Sequence, residues 1–177
     1  MMRNKPIFVL FLMLVIASTG MSQLLKGDEN FPIIQELRWG LSMDEVRTLC
    51  AQRQVSITST DSAMFVTVPI LGFASRTELH FSEHPKTLNR VQARLNQPTK
   101  GAADSITNYL SRKFGANPFR TVKEKSVLII TLRMEIASWR LADGLVNVVT
   151  AMRGDSIFDA SLVLIPPTTP QKPQSPQ

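Results

Sequence analysis

"ELRWGLSMDEVRTLCAQ", residues 36–52, holds the signal from which the rest of the chain can be ordered. Ser42 and Glu45 stand three apart in a capping box: the hydroxyl accepts from the Glu45 N–H, and the carboxylate reaches back to the Ser42 N–H. Leu41 before the cap and Val46 in the first turn form the hydrophobic staple that fixes how the chain enters the helix. Asp44 and Glu45 place negative charge at the positive end of the helix dipole. Met43, Val46, Leu49 and Cys50 then share one face, which predicts a helix that lays this face on a sheet. Trp39 is placed to cover the helix–sheet seam, and Gly40 permits the sharp entry. Every residue here has a structural task, so the stretch reads as a folding signal.

Downstream, "GAADSITNYLSRKFG" puts Ile106, Tyr109, Leu110 and Phe114 at helical spacing, with Arg112 and Lys113 in the last turn and Gly115 placed as the residue after the helix. Asn117-Pro118 stops it. Elsewhere the period is two. "RTELHFS" alternates Thr77, Leu79 and Phe81 with Glu78 and His80, and "NRVQARLN" alternates Val91, Ala93 and Leu95 with Arg90, Gln92 and Arg94. "MFVTVPI" is β-branched and apolar up to Pro69 and a Gly72 turn. In the second half "SVLIITLRMEIASWRL", "LVNVVTAM" and "SIFDASLVLI" read as three strands, with Asp143-Gly144 and Arg153-Gly154-Asp155 as hairpin turns. This order predicts an α+β fold of two helix-plus-antiparallel-sheet units, at 36–97 and 98–165, with helices packed on one face of the sheet.

Gly40, Leu41, Ser42, Glu45, Val46 and the apolar Leu49 resemble the unit start of small exported bacterial domains. The small lipoprotein of the outer-membrane β-barrel assembly machinery is one such family. The β-lactamase-inhibitory protein, built from helix-plus-sheet repeats, is another with a similar plan. The resemblance implies a fold and a compartment and carries over no binding residue. It departs where "CAQRQ" ends the helix and where a lipidation cysteine would stand.

The two ends of the chain differ from its middle. Arg3 and Lys5 precede an unbroken apolar run of 11 residues, Ile7 to Ala17, and small residues follow at Ser18, Gly20 and Ser22. That is the layout of a cleaved secretory signal peptide, expected at 1–22. A spanning helix needs about 20 apolar residues, so an uncleaved membrane anchor is the lesser expectation. A lead-in is expected at 23–35, and "PPTTPQKPQSPQ" at 166–177, with five of the chain's 11 prolines, as a solvated tail.

Lys and Arg number 20; without the leader's Arg3 and Lys5, 18 basic residues face 14 acidic ones. That balance is too dilute to argue for nucleic acid. The densest basic stretch, "RKFGANPFRTVKEK", reads as a solvated loop, with contact to an anionic surface such as lipid head groups as the lesser reading. Cys50 is the one cysteine, so no intramolecular disulfide forms and the apolar core must hold the fold.

The motifs of chemistry are missing. There is no G-x-S-x-G elbow, no G-x-G-x-x-G and no G-x-x-x-x-G-K-[ST]. "HFSEH" brings His80, Glu83 and His84 within five residues, but two histidines at i and i+4 share a face only on a helix. His80 and His84 are therefore weak metal candidates that need a further ligand. Glu78 and Glu135 are the acids to watch. "RGDS" at 153–156 is hairpin-turn chemistry.

The reading favoured is an exported, non-enzymatic periplasmic or extracellular binding module without a cofactor, whose partner is an envelope protein. It expects exposed apolar or aromatic side chains on a sheet face or edge, with Trp39 and Trp139 as candidates. The alternative is an enzyme or small-ligand or metal carrier with a pocket where His80, Glu78 and Glu135 converge. A third is an envelope protein anchored by an uncleaved leader.

Overall fold

The computed structural model describes residues 25–127 and 130–167; the leader at 1–22 and all but the first two residues of the tail lie outside them. A 3₁₀ turn at Ile34–Glu36 leads to helix α1, Met43–Gln52. Strands β1 Ile57–Ser59, β2 Ala63–Ile70, β3 Phe73–Phe81 and β4 Leu88–Leu95 follow. Helix α2, Lys100–Phe114, then precedes β5 Phe119–Val127, β6 Ile130–Leu141, β7 Gly144–Arg153 and β8 Ser156–Ile165.

Both helices start and stop for local reasons. Ser42 caps α1: its Oγ accepts from Glu45 N at 3.3 Å, and its own N donates to Glu45 Oε2 at 2.7 Å. Donation from the Ser42 N–H and hydroxyl to Oε2 holds the Glu45 carboxyl below its ordinary range. Gly40 sits at φ 87, where a side chain is strained, and the entry is strapped to β4 by Gly40 N to Leu88 O (3.2 Å) and Leu88 N to Leu41 O (2.8 Å). Thr99 caps α2 through Ala102 N at 3.1 Å, and Gly115, left-handed at φ 64, ends it.

The eight strands form one antiparallel sheet in the order β1-β2-β3-β4-β8-β7-β6-β5. The expectation of two helix-plus-sheet units is therefore corrected. β4 and β8 pair directly, with Val91 opposite Leu164, Ala93 opposite Leu162 and Arg94 opposite Ser161. The pairing closes what would have been two open edges at the centre and merges the halves into one sheet with one core. Sequence alternation specifies which face of each strand is buried, but it does not specify which strand lies beside it.

That core is a single cluster on one face. It takes Met64, Val66, Val68 and Ile70 from β2, Val91, Ala93 and Leu95 from β4, Ala137 and Trp139 from β6, and Leu162 and Leu164 from β8. Val46 and Cys50 of α1 and Ile106 and Leu110 of α2 join the same cluster, so both helices lie on this face. The lead-in is part of it too: Leu25, Phe31, Ile33, Ile34 and Leu37 are all buried.

The lead-in is also tied down by charge. The Asp28 carboxylate accepts from the Tyr109 hydroxyl at 2.7 Å and from Asn30 Nδ2 at 3.0 Å, and Lys113 Nζ lies 2.9 Å away. Burial alone would raise its pKa, but the Lys113 ammonium, Tyr109 and Asn30 together hold it below the ordinary value.

β5 was not foreseen. "FRTVKEKSV" lies within the stretch read as a solvated loop, and the run read as one strand from Ser126 is split between β5 and β6. β5 is an edge strand, and from Phe119 to Ser126 none of its side chains is buried. With solvent on both sides, no apolar alternation was left in the sequence to betray it.

Candidate functional site

In a strand, neighbouring side chains point to opposite faces, so the register assigns every residue a side. β6 sends Ala137 and Trp139 into the core and presents Leu132, Met134, Ile136, Ser138 and Arg140 on the other face. Through the pairing, the same open face carries Lys123 and Lys125 of β5 and Asn147, Val149, Ala151 and Arg153 of β7. It continues through Asp159, Ser161 and Val163 of β8, Arg90, Gln92 and Arg94 of β4, Arg76, Glu78 and His80 of β3, and Phe65 and Thr67 of β2. No helix among the described residues covers it. At about 4.8 Å between strands it is roughly 34 Å wide.

The open face is not uniform. Its β5–β8 side holds a shallow apolar groove of about 460 Å³ floored by Leu132, Met134, Ala151 and Phe158, with Lys123, Glu124 and Lys125 along one wall and Arg133 beside them. Phe158 is 56% exposed and Met134 40%, unusual for such side chains with no neighbour over them. The β2–β4 side is polar: Arg76 lies over the Phe65 ring at 4.7 Å, Arg90 donates to Gln92 at 2.7 Å, and Arg94 meets Asp159 at 3.1 Å.

A bulge builds the groove. Ala151 pairs with Asp159, but Met152 pairs with Ile157, so Phe158 is an extra residue in β8. Simple alternation would send Phe158 to the core with Ala160, Leu162 and Leu164. The bulge turns it onto the open face beside Ala151 instead. No residue pattern in "SIFDASLVLI" announces this.

Neither tryptophan serves that face. Trp139 is 3% exposed, its indole N–H donates to Ala116 O at 3.0 Å, and its ring packs against Phe114. It is a core residue, because its position in β6 has the parity of Ala137. Trp39 is half-buried and donates to Asp143 O at 3.0 Å, pinning the α1 entry to the β6–β7 turn. Burial overturns Trp139 as a candidate for the binding surface, and Trp39 stands at the α1 entry rather than on the open face.

The acids and histidines do not assemble. Glu78 and His80 share the open face, where His80 Nε2 lies 3.1 Å from Glu78 Oε1 without a hydrogen bond between them. Glu135 is on the opposite face, paired with Arg133 at 2.7 Å, so the sheet itself separates it from the other two. His84 sits exposed in the β3–β4 turn. Among the described residues no group of three His, Cys, Asp or Glu side chains gathers around either histidine. Cys50 is buried, and burial pushes its thiol pKa up, away from the nucleophilic thiolate.

Further hollows among the described residues include two on the helix side of the sheet. One, of about 260 Å³ beside α2, is lined by Asp104, Thr107, Arg120, Arg133 and Glu135. The other, of about 500 Å³ between the lead-in and α1, is bounded by Glu36, Arg38, Glu45 and Arg53, with Arg53 paired to Glu36 at 2.5 Å. Each holds one internal ion pair, Arg133 with Glu135 in the first and Arg53 with Glu36 in the second. Compared with known proteins, the chain matches no family model, no curated sequence and no solved structure.

Proposed function

We propose that this protein is an exported, non-enzymatic interaction module that works through the open face of its sheet, with an envelope protein as partner. The observation that carries the reading is the groove of Leu132, Met134, Ala151 and Phe158, left uncovered on a face that has its own bulge to complete it. An antiparallel sheet face that meets only water is normally polar at alternate positions. Exposed apolar patches on such a face mark contact surfaces. The compartment rests on the leader-like start of the chain and on the resemblance of the α1 entry to small exported domains.

The test is site-specific photo-crosslinking in cells, with the reactive group placed at Met134 on the open face or at Ser105 on the exposed side of α2. A defined protein adduct from Met134 that is missing from Ser105 is the expected result. Equal adduct patterns from both positions would refute the assignment of the face. The intact mass of the recovered protein reads the leader separately: loss of about the first 22 residues is expected, and a full-length mass would favour the anchored reading.

A further inference from the structure

Resting on the assignment of the open face as the working surface, the charge on that face identifies the partner's chemistry. The strands present seven basic side chains there, Arg76, Arg90, Arg94, Lys123, Lys125, Arg140 and Arg153, against two acidic ones, Glu78 and Asp159. Asp159 is engaged by Arg94 and Glu78 is in contact with His80. On the helix side of the β5–β6 hairpin the balance is different: Arg133 is held between Glu124 and Glu135, so charge there is compensated internally. The excess of positive charge is thus a property of the uncovered face.

We infer that the open face takes an acidic protein segment, with an apolar side chain of that segment seated in the Leu132–Met134–Ala151–Phe158 groove and its carboxylates meeting Lys123, Lys125 and Arg153 around the rim. Lys123 and Lys125 stand opposite Met134 and Leu132 in the register, and Arg153 lies opposite Leu132 on the other side. Cations therefore flank the apolar floor on both sides. Such a pattern suits an anchor residue between carboxylates, where burial of the anchor gives affinity and the charges give orientation and speed of encounter.

Other occupants fit less well. A second copy would bring the same basic excess against this one and be repelled. Nucleic acid presents about one charge per 1.7 Å of duplex, far denser than this face offers. The groove floor, moreover, is aliphatic with one ring and lacks the row of aromatic platforms that stack bases.

The experiment uses the protein as recovered from cells and three labelled peptides of one design, phenylalanines set between glutamates, glutamines or lysines, read by fluorescence anisotropy over a range of salt. The glutamate peptide is expected to bind best and to weaken as salt rises. The double variant Lys123→Glu/Lys125→Glu should lose about tenfold in affinity, and Arg153→Glu, a separate check in case the double variant folds poorly, several-fold. Phe158→Ala should weaken all apolar peptides alike.

If the glutamine peptide binds as tightly as the glutamate one and the charge reversals change nothing, the acidic partner is refuted while the face assignment stands on Phe158→Ala. If no peptide binds and Met134 gives no adduct, both fall. Vesicles of phosphatidylglycerol and phosphatidylcholine form the last arm. Binding to them that the Lys123→Glu/Lys125→Glu variant abolishes, without peptide binding, would overturn the protein segment in favour of a lipid surface.

Discussion

The helix-covered face and the open face of this sheet come from the same eight strands, one residue out of step. On the covered face, β2 and β4 contribute Val66, Val68, Val91 and Ala93 to a continuous core under α1, α2 and the lead-in. On the open face the same two strands contribute Phe65, Thr67, Arg90 and Gln92. The β5–β8 half breaks the symmetry of that division. Its covered side is apolar at Ala137, Trp139, Val146, Val148, Leu162 and Leu164 but charged at Arg133 and Glu135, while its open side is apolar around Met134 and Phe158. The difference teaches that apolar character alone does not mark this molecule's core. Cover does, and where cover is missing the apolar residues need another explanation.

The largest effect that tests this division is a truncation in the covered face. Leu110 of α2 is fully buried, and Leu110→Ala should cost about 3–4 kcal/mol, the transfer term plus the cavity it leaves. Urea unfolding followed by circular dichroism measures it. A loss below about 1 kcal/mol would mean that α2 is not the lid of a packed core.

Asp28 comes next, because it joins the lead-in to α2 across the edge of the same core. Asp28→Asn keeps the shape but removes the charge facing Lys113, at an expected cost of about 2 kcal/mol near neutral pH. The sign with pH follows from the direction of the shift. The folded carboxyl titrates below the unfolded value, so its contribution is full above that value and is lost as pH falls through the folded one. The stability gap between wild type and Asp28→Asn should therefore close on acidification below about pH 4. A gap that widens there would contradict the ion pair.

Much of the covered face was legible in the sequence. The capping box at Ser42 and Glu45, the Gly115 stop and the alternation in β3 and β4 are short-range signals, and the structure places each where the residues put it. The single sheet was not legible, because the β4–β8 pairing joins residues some 70 apart through a register no local pattern encodes. The working face was legible least of all. Leu132 and Met134 look like ordinary strand residues, the bulge that turns Phe158 onto the open face leaves no mark in the residue pattern, and β5 reads as a charged loop. Trp39 and Trp139 drew notice for their type, and each went to packing and a backbone carbonyl.

A smaller effect sharpens the role of the α1 entry. Ser42→Ala removes the acceptor for Glu45 N and the hydroxyl that Glu45 Oε2 holds at 2.7 Å. It should cost about 1 kcal/mol in the same urea experiment. Ser42→Asp, which retains a capping acceptor, should recover most of it.

The smallest expected change is the one that bears most on function. Met134→Thr places a strand-compatible polar residue on the open face, where solvent already reaches 40% of the side chain. If nothing in the protein packs over it, stability should move by no more than about 0.5 kcal/mol. A loss approaching that of Leu110→Ala would mean that the groove is part of the folded core and has no surface to offer, and the contrast between the two faces would collapse. A silent substitution for folding that also abolishes the Met134-side contact with a partner would separate the two duties of the sheet: one face holds the fold, and the other is kept apolar at a cost in solubility that only binding explains.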